Sequence, residues 1–472
     1  SHHRKIITTN DIFNMKLYKV LDDGKSYDES LTRSQILRLL TAQCNHGNNN
    51  NDDNDDGEIN GDNKEKVSAN SPDFNSNSNS NSTSTPSPLS HLKIEIDEHE
   101  HDAHDLFSNP SLLSHLGNAI ADPPVSLTQL AISLESRLNR DGSRIDPNTS
   151  LLLQYISRNR CIRNLTLELS AYRMGHCIAD MMEIFRPFFE CNDRWQSLDV
   201  TTRFGMPAKA VSLLMEALLV RGTRRGGRRR RRLERIRFCQ VGPSGVECFL
   251  TFLGVHPEVI PRVICLDSNW VENRGCEFLA DMLRRTNVNG KNFPFPISDA
   301  LEEIHLRNEG MERRGLQLLV TALAERPTPL KTLVLEHNCG IGGSKGIMVI
   351  AKTFQHNPDA IPSNLCLSGN RMGPRGLGSL GRVLAKRKYP LEELRLENNC
   401  LYDESVKELA ETFRERPANV PKRLNLDGNR IEEEGLLHLL ELIAKRDCPL
   451  EILDMNYIIA DNDRDDGNNN NN

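Results

Sequence analysis

The chain has 472 residues, a formal net charge of −6 and a hydrophobic fraction of 38%, which is low for a globular protein and agrees with its mean hydropathy of −0.51. Its length alone would allow several domains. No apolar run reaches 18 residues and no N-terminal segment has the pattern of a secretory signal, so we expect neither a transmembrane helix nor secretion.

The first 88 residues divide into two parts of different composition. Residues 1–44 contain one short amphipathic pattern, Asp28–Leu40, which predicts a helix. Residues 45–88 consist largely of Asn, Asp, Ser and Gly, and the segment 461–472 has a similar character. Such segments cannot bury enough apolar surface to offset the loss of chain entropy, so we expect both to be disordered.

From residue 89 onward one phrase recurs: an apolar residue, two variable residues, an apolar residue, one variable residue and an apolar residue. Clear copies are Leu330–Leu335, Leu391–Leu396 and Pro421–Leu426. Successive copies lie 28 to 40 residues apart, which is typical of a solenoid of stacked repeats. We take the fourth residue of the phrase as its marker, and the twelve markers are Leu92, Leu130, Leu165, Leu198, Ile236, Ile264, Ile304, Leu333, Leu365, Leu394, Leu424 and Leu453.

Each copy predicts a strand followed by a helix. The marker and the residue two positions later alternate with polar neighbours, which is the period of a strand with one buried face. A small residue followed by apolar residues four and eight positions later, as in Gly376, Leu380 and Leu384, then predicts a helix. Five positions after the marker an Asn often stands, whose buried amide can bond backbone groups of its own and the neighbouring repeat; these are Asn269, Asn338, Asn370, Asn399 and Asn429.

This pattern resembles leucine-rich repeats, specifically the ribonuclease-inhibitor-like class with a full helix in each unit. The resemblance covers roughly residues 89–458 and implies an α/β fold: a curved solenoid with parallel strands on the concave side and helices on the convex side. We assign residues 89–460 to one such domain of about ten to twelve repeats. The N-terminal copies depart from the family pattern, because the Asn position holds Asp97, Glu135, Ser170, Arg203 or Val241.

Two other sequence features could carry a site. The run Arg221–Arg232 lies between a predicted helix ending near Val220 and a strand starting at Leu233, and it fits an exposed insertion loop, a nuclear import signal or a phosphate-binding patch for nucleic acid. The His-rich cluster Glu98–Asp105 has metal-ligand chemistry, but no second cluster completes a site, so we interpret it as a polar turn.

The rest of the sequence points away from catalysis and cofactors. It contains none of the phosphate-binding loop, nucleophile-elbow or zinc-protease motifs, so we expect no enzyme activity, metal or cofactor. Its twelve cysteines are scattered without a CxxC pair, as expected for reduced thiols of an intracellular protein. We therefore expect a monomer in the cytoplasm, with the nucleus as the alternative location.

The repeats themselves create the surface that we predict to be functional. Side chains that flank each marker should point out of the core, face solvent and line the concave side. This polar surface nearly lacks aromatic anchors and suits a protein partner of complementary charge. The predicted partner-binding residues are Glu303, His305, Arg307, Glu336, His337, Glu393, Arg395, Glu397, Arg423 and Asp427.

The leading functional hypothesis is a non-enzymatic protein-interaction scaffold. Two alternatives remain open. Ran GTPase-activating proteins use a similar repeat arc, although no motif here matches that role residue by residue. A nuclear or nucleic-acid-associated function through Arg221–Arg232 is the other alternative.

Overall fold

The structure is a computed structural model that describes residues 15–19, 91–97, 117–118, 121, 128–135, 147–169, 175–223, 233–288 and 301–455. From Gln129 to Asp454 of these residues, strands and helices alternate along the chain. The strands are β1 Met15–Lys19, β2 His91–Asp97, β3 Gln129–Glu135, β4 Asn164–Leu169, β5 Ser197–Thr202, β6 Arg235–Cys239, β7 Val263–Asp267, β8 Glu303–Arg307, β9 Thr332–Val334, β10 Asn364–Cys366, β11 Glu393–Arg395, β12 Arg423–Asn425 and β13 Ile452–Asp454. The helices are α1 Pro147–Ser157, α2 Gly175–Cys191, α3 Ala208–Thr223, α4 Pro243–Val255, α5 Glu272–Val288, α6 Arg313–Ala324, α7 Ser344–Phe354, α8 Gly373–Leu384, α9 Asp403–Phe413 and α10 Glu433–Ile443.

The described strands form one sheet whose order follows the chain from β1 to β13. Strands β2 to β13 are parallel, and the twelve markers form eleven successive pairs across neighbouring strands, from Leu92 beside Leu130 to Leu424 beside Leu453. The predicted curved solenoid and its register are therefore confirmed, including the two irregular N-terminal copies.

The core lies between the sheet and the helices, as the two periodicities require. The marker Leu394 and its partner Leu396 are fully buried, and Leu409 and Phe413 of α9 cover them from the helix side. The last marker, Leu453, is only partly buried, because no further described repeat packs against β13. A single unit could not bury both faces, so stability comes from stacking.

The N-terminal strand β1 is an element that the sequence analysis missed. It pairs antiparallel with β2, Met15 opposite Ile96, and so extends the parallel sheet by a strand of opposite direction. This strand has only five residues, MKLYK, which are too few to establish an alternation of apolar and polar side chains. The predicted helix Asp28–Leu40, the segments 45–88 and 461–472 and the cluster Glu98–Asp105 lie outside the described residues.

A ladder of buried asparagines closes the strand-to-helix turns of the C-terminal repeats. Asn370 shows the pattern: its Nδ2 donates to the carbonyl of Leu335 in the preceding repeat at 2.7 Å, and its Oδ1 accepts the backbone N–H of Asn338 at 2.8 Å. All five predicted asparagines are buried in this way. Each amide satisfies backbone groups that the turn would otherwise leave unpaired.

One rung of this ladder is not an amide. Glu309 stands five positions after the marker Ile304 and is fully buried. Its carboxylate accepts the backbone N–H groups of Asn269, at 3.0 Å, and Val271, at 3.1 Å. Burial raises the pKa of Glu309 to about 7, although these hydrogen bonds act against the rise and the nearby Asp267 carboxylate adds to it. The sequence analysis did not single this residue out.

Candidate functional site: the concave face and its strand-to-turn edge

The concave face is built from the side chains that alternate with buried ones along each strand. The residues one before, one after and three after the marker point away from the core, and the common register places them in three rows across the sheet. Adjacent strands lie about 4.8 Å apart, so long side chains on neighbouring strands come within reach of each other.

Most of the predicted charges in the middle of this face are already paired within the chain. Arg307 Nε lies 2.6 Å from Glu336 Oε2, and Arg395 Nη2 lies 2.9 Å from Glu397 Oε1. Arg395 also reaches Glu336 at 4.0 Å, and the Cys366 thiol donates to Glu336 Oε1 at 2.9 Å. Arginines and carboxylates thus alternate from β8 to β11.

The expectation that these side chains face solvent is wrong for Glu397 and holds poorly for Glu336. Their side chains are only 12% and 13% exposed, and Glu397 also accepts a hydrogen bond from Ser368. The physical reason is the curvature of the sheet. Side chains on the inner side of a curved sheet converge, so they cover one another and pair instead of extending into water.

The local environment sets the charge states in this network. Burial alone would raise the pKa of Glu336, but hydrogen bonds from Cys366 and Arg307 hold it below its ordinary value, so the carboxylate is ionised at neutral pH. Burial lowers the pKa of His305. The Glu303 carboxylate, 3.2 Å from Nε2 of His305, raises this pKa but offsets only part of the effect of burial. His305 is therefore predominantly neutral at neutral pH.

The other predicted site residues occupy more varied positions. Glu393 and Asp427 are half-buried on the concave face, and Arg423 is exposed there. His337 does not belong to the strand rows: it lies in the turn after β9 with φ +56°, next to Gly369 of the following repeat. The role of the ten residues in binding a partner stays a prediction.

A second charged cluster lies on the concave face of β5 to β8. Arg237 Nε pairs with Asp267 Oδ2 at 2.8 Å, and Arg235 faces Asp199 at 3.7 Å, too far for a hydrogen bond. Four side-chain atoms here are buried without a hydrogen-bond partner: Asp199 Oδ1, Arg235 Nε, Asp267 Oδ1 and His305 Nδ1. The buried polar atoms in this part of the face thus have fewer hydrogen bonds than those around Glu336.

Two exposed aromatic side chains line the edge where these strands turn towards the helices. Phe204 and Trp270 are 57% and 63% exposed, and each lies six positions after its marker. The repeats beside them have Gly242 and Gly310 at that position, and a side chain at Gly310 would come within 3.7 Å of the Trp270 ring. The prediction that aromatic anchors are nearly absent concerned the strand residues of the concave face, whereas these two side chains lie at its edge.

The backbone of Trp270 follows the geometry of the repeat turn. Its φ of +55° lies in the left-handed region, as do those of Arg371 and Cys400 at the same position of later repeats. The sequence showed the Trp but not its exposure, because the strand phrase ends before the turn. Comparing the same turn position in successive repeats could have found it.

The arginine run does not begin in a loop. Helix α3 extends to Thr223, so Arg221 is helical. It donates to the carbonyl of Trp195 at 2.8 Å, and its guanidinium lies 5.4 Å from the centre of that ring. Arg221 is therefore a packing residue at a helix end. Residues 224–232, which carry the rest of the run, lie outside the described residues.

The thiols of the concave face are poor nucleophiles. Burial raises the pKa of Cys265 to about 11 and that of Cys366 to about 12, so both are protonated at neutral pH. Within the part of the chain that the structure describes, no three His, Cys, Asp or Glu side chains form a metal-binding group. None of the described helices is long and apolar enough to cross a bilayer.

Comparisons with known proteins agree with the repeat architecture. No protein-family model matches the chain. It is 23% identical over 198 residues to the mouse NACHT, LRR and PYD domains-containing protein 4C, and 27% and 28% identical over 180 residues to mouse and pig ribonuclease inhibitor. These matches cover 42%, 38% and 38% of this chain.

The matched segments cover only part of this chain and only part of each relative. They span only 18% of the first relative and 35% of each ribonuclease inhibitor. Among solved structures, the yeast Rad7 and Elc1 complex aligns with a TM-score of 0.34 at 11% identity, over 73% of this chain and 87% of that chain.

Proposed function

We propose that this chain, a leucine-rich repeat protein of the ribonuclease-inhibitor-like class, is a non-enzymatic scaffold that binds a protein partner across its concave face. The observation that carries the proposal is Trp270, which is exposed and held in a left-handed backbone conformation at the rim of that face. Trp is among the residue types most enriched where interfaces gain their binding energy, and a partner that covers this ring would bury a large apolar surface.

The charges and the aromatic rim have different roles in this proposal. Charges such as Arg307 and Glu336 are already paired within the chain, so a partner gains little new Coulomb energy from them. They instead determine how the partner is positioned along the face, and they disfavour partners whose charges would lie opposite like charges. Trp270 and Phe204 supply apolar surface, which typically provides most of the affinity at an interface.

The proposed interface extends beyond the predicted residues. The predicted residues from Glu303 to Asp427 form its C-terminal part, and the cluster around Asp267 continues it to β5. The unsatisfied atoms of that cluster favour a partner that supplies hydrogen bonds there. By its name, ribonuclease inhibitor also acts on another protein, and we propose the same class of partner here, in the cytoplasm.

The test combines affinity capture with matched variants. Proteins from a lysate of the source organism would be captured on the full chain, and the binding of one identified partner would be measured for each variant. We expect Trp270→Ala to weaken binding at least tenfold and Arg423→Glu to weaken it by a smaller factor. Tyr389→Ala is the control, because Tyr389 is 64% exposed but lies in the loop that precedes β11.

Salt separates the two contributions. Binding by Trp270→Ala should remain salt-sensitive, since the charged face is intact, whereas the loss caused by Arg423→Glu should shrink as salt rises. If Trp270→Ala and Arg423→Glu both bind like the unaltered chain, the concave face is not the site.

A further inference from the structure

The C-terminal face of the described solenoid, formed by α10 and β13, exposes apolar side chains. Leu437 and Leu440 of α10 are 53% and 49% exposed, and Ile452 of β13 is 41% exposed. In the preceding repeat the counterpart of Leu440 is Ala410, which is 9% exposed because α10 packs against α9. Part of this exposure follows simply from the absence of a further described repeat.

Two of these residues are apolar where the immediately preceding repeat is polar, although Met348 of α7 is also apolar and exposed at the position of Leu437. Leu437 occupies the position that Lys407 has in α9, thirty residues earlier. Ile452 occupies the position before the marker, where the preceding strands have Arg423 and Glu393. The last described repeat therefore exposes three apolar side chains, and contiguous apolar surface of this kind is typical of interaction sites.

The charges of α10 indicate what covers it. The helix begins at exposed Glu433 and Glu434 and is followed by exposed Lys445 and Arg446. In an antiparallel pair of identical helices, the acidic end of one faces the basic end of the other. A twofold axis at Leu440 would place Glu434 opposite Arg446 of a second copy and Leu437 opposite Ile443, with Leu440 meeting its own counterpart.

We propose that this end face is self-complementary and that two copies of the chain pair through antiparallel α10 helices. Such a twofold contact uses the same patch on both copies and closes without further growth. It replaces the monomer expected from the sequence, and it is independent of the proposed function, because the central part of the concave face remains open. Only three partly exposed side chains supply apolar surface here, so we expect a weak association with a dissociation constant of about 1 to 100 μM.

Sedimentation velocity of the full chain, from low micromolar to several hundred micromolar, tests the proposal. The mass should rise with concentration from 53.3 kDa towards twice that value. Leu440→Asp should weaken the association at least tenfold without lowering the melting temperature, because Leu440 is already exposed. Val255→Asp is the matched control: Val255 is 58% exposed at the end of α4 and should leave the association unchanged.

A charge exchange tests the antiparallel arrangement. Glu434→Arg and Arg446→Glu should each weaken the dimer, because each creates two like-charge pairs, and the double variant should restore it. A chain that stays monomeric throughout overturns the proposal, as does a dimer that Leu440→Asp leaves intact. Failure of the double variant to restore the association overturns the assigned pairing. If Leu440→Asp instead weakens capture of a different protein by a monomeric chain, this face belongs to that partner.

Discussion

Replacing Glu309 with Gln should change how the stability of the solenoid depends on pH. The folded-state pKa is about 7, whereas an exposed glutamate has a value near 4.5. Between these two pH values the folded chain holds a proton that the unfolded chain has lost. This contribution to stability is therefore fully present below about pH 4.5 and is lost as the pH rises through about 7.

The magnitude follows from the two pKa values. At about 1.4 kcal/mol per pKa unit, the whole contribution is about 3 kcal/mol, and about 2.5 kcal/mol of it falls between pH 5 and pH 8. Gln has the same length and no proton to lose, and its amide supplies the donor that each ladder asparagine has. Glu309→Gln should therefore be more stable than the unaltered chain at pH 8, with the advantage shrinking towards pH 5.

Urea unfolding followed by circular dichroism, from pH 5 to pH 8, would measure this difference. A solenoid can lose repeats stepwise, so hydrogen exchange of the segment that contains Asn269 and Val271 gives a local readout. Their amides donate to Glu309 and should be better protected in the Gln variant at pH 8.

Glu302→Gln provides the control. Hydrogen bonding to Arg262 lowers the pKa of Glu302, so its contribution is present above the ordinary value and lost only as the pH falls. That variant should shift the stability curve without changing its slope between pH 6 and pH 8. If Glu309→Gln and the unaltered chain show parallel curves over the whole range, Glu309 does not titrate there and the reasoning fails.

Three other predictions test packing at single positions. Leu394→Asp should lower the free energy of unfolding by more than about 4 kcal/mol, because it places an unpaired carboxylate in the core. An unchanged urea midpoint would show that the assigned register is wrong. Glu397→Lys should lower the free energy of unfolding by about 2 to 4 kcal/mol, since it breaks buried hydrogen bonds. Arg423→Glu on the same face should change the urea midpoint very little, because Arg423 is exposed, and equal effects of the two substitutions would contradict this difference in burial. Gly369→Ala should lower the free energy of unfolding by about 2 to 3 kcal/mol, because φ is +72° and the new Cβ would clash with Nδ1 of the His337 ring. His337→Ala should recover part of that loss in a double-mutant cycle, and strict additivity would refute the contact.

Periodicity in the sequence was sufficient to predict the fold. Each marker and the apolar residue two positions later had to face one side, and a shift of one residue would expose the whole set. That constraint predicted the pairing of Leu394 with Leu424 and the burial of the asparagines from Asn269 to Asn429. Even Leu92 and Leu130 obeyed it, although the Asn ladder is missing there. Short-range patterns determine which side of an element is buried.

The site depended on contacts between repeats, which no single copy encodes. Glu336 and Glu397 were expected to face water, but Glu336 pairs with Arg307 of the preceding repeat, and Glu397 accepts a hydrogen bond from Ser368 of the preceding repeat besides pairing with Arg395 of its own. Glu309 is an ordinary carboxylate in sequence and gains its pKa only when Asn269 and Val271 close over it. Trp270 became a candidate anchor only through its turn geometry and the glycine in the next repeat. Sequence alone determined which face each residue takes, and tertiary structure decided its neighbours, because burial and charge pairing depend on residues about thirty positions away.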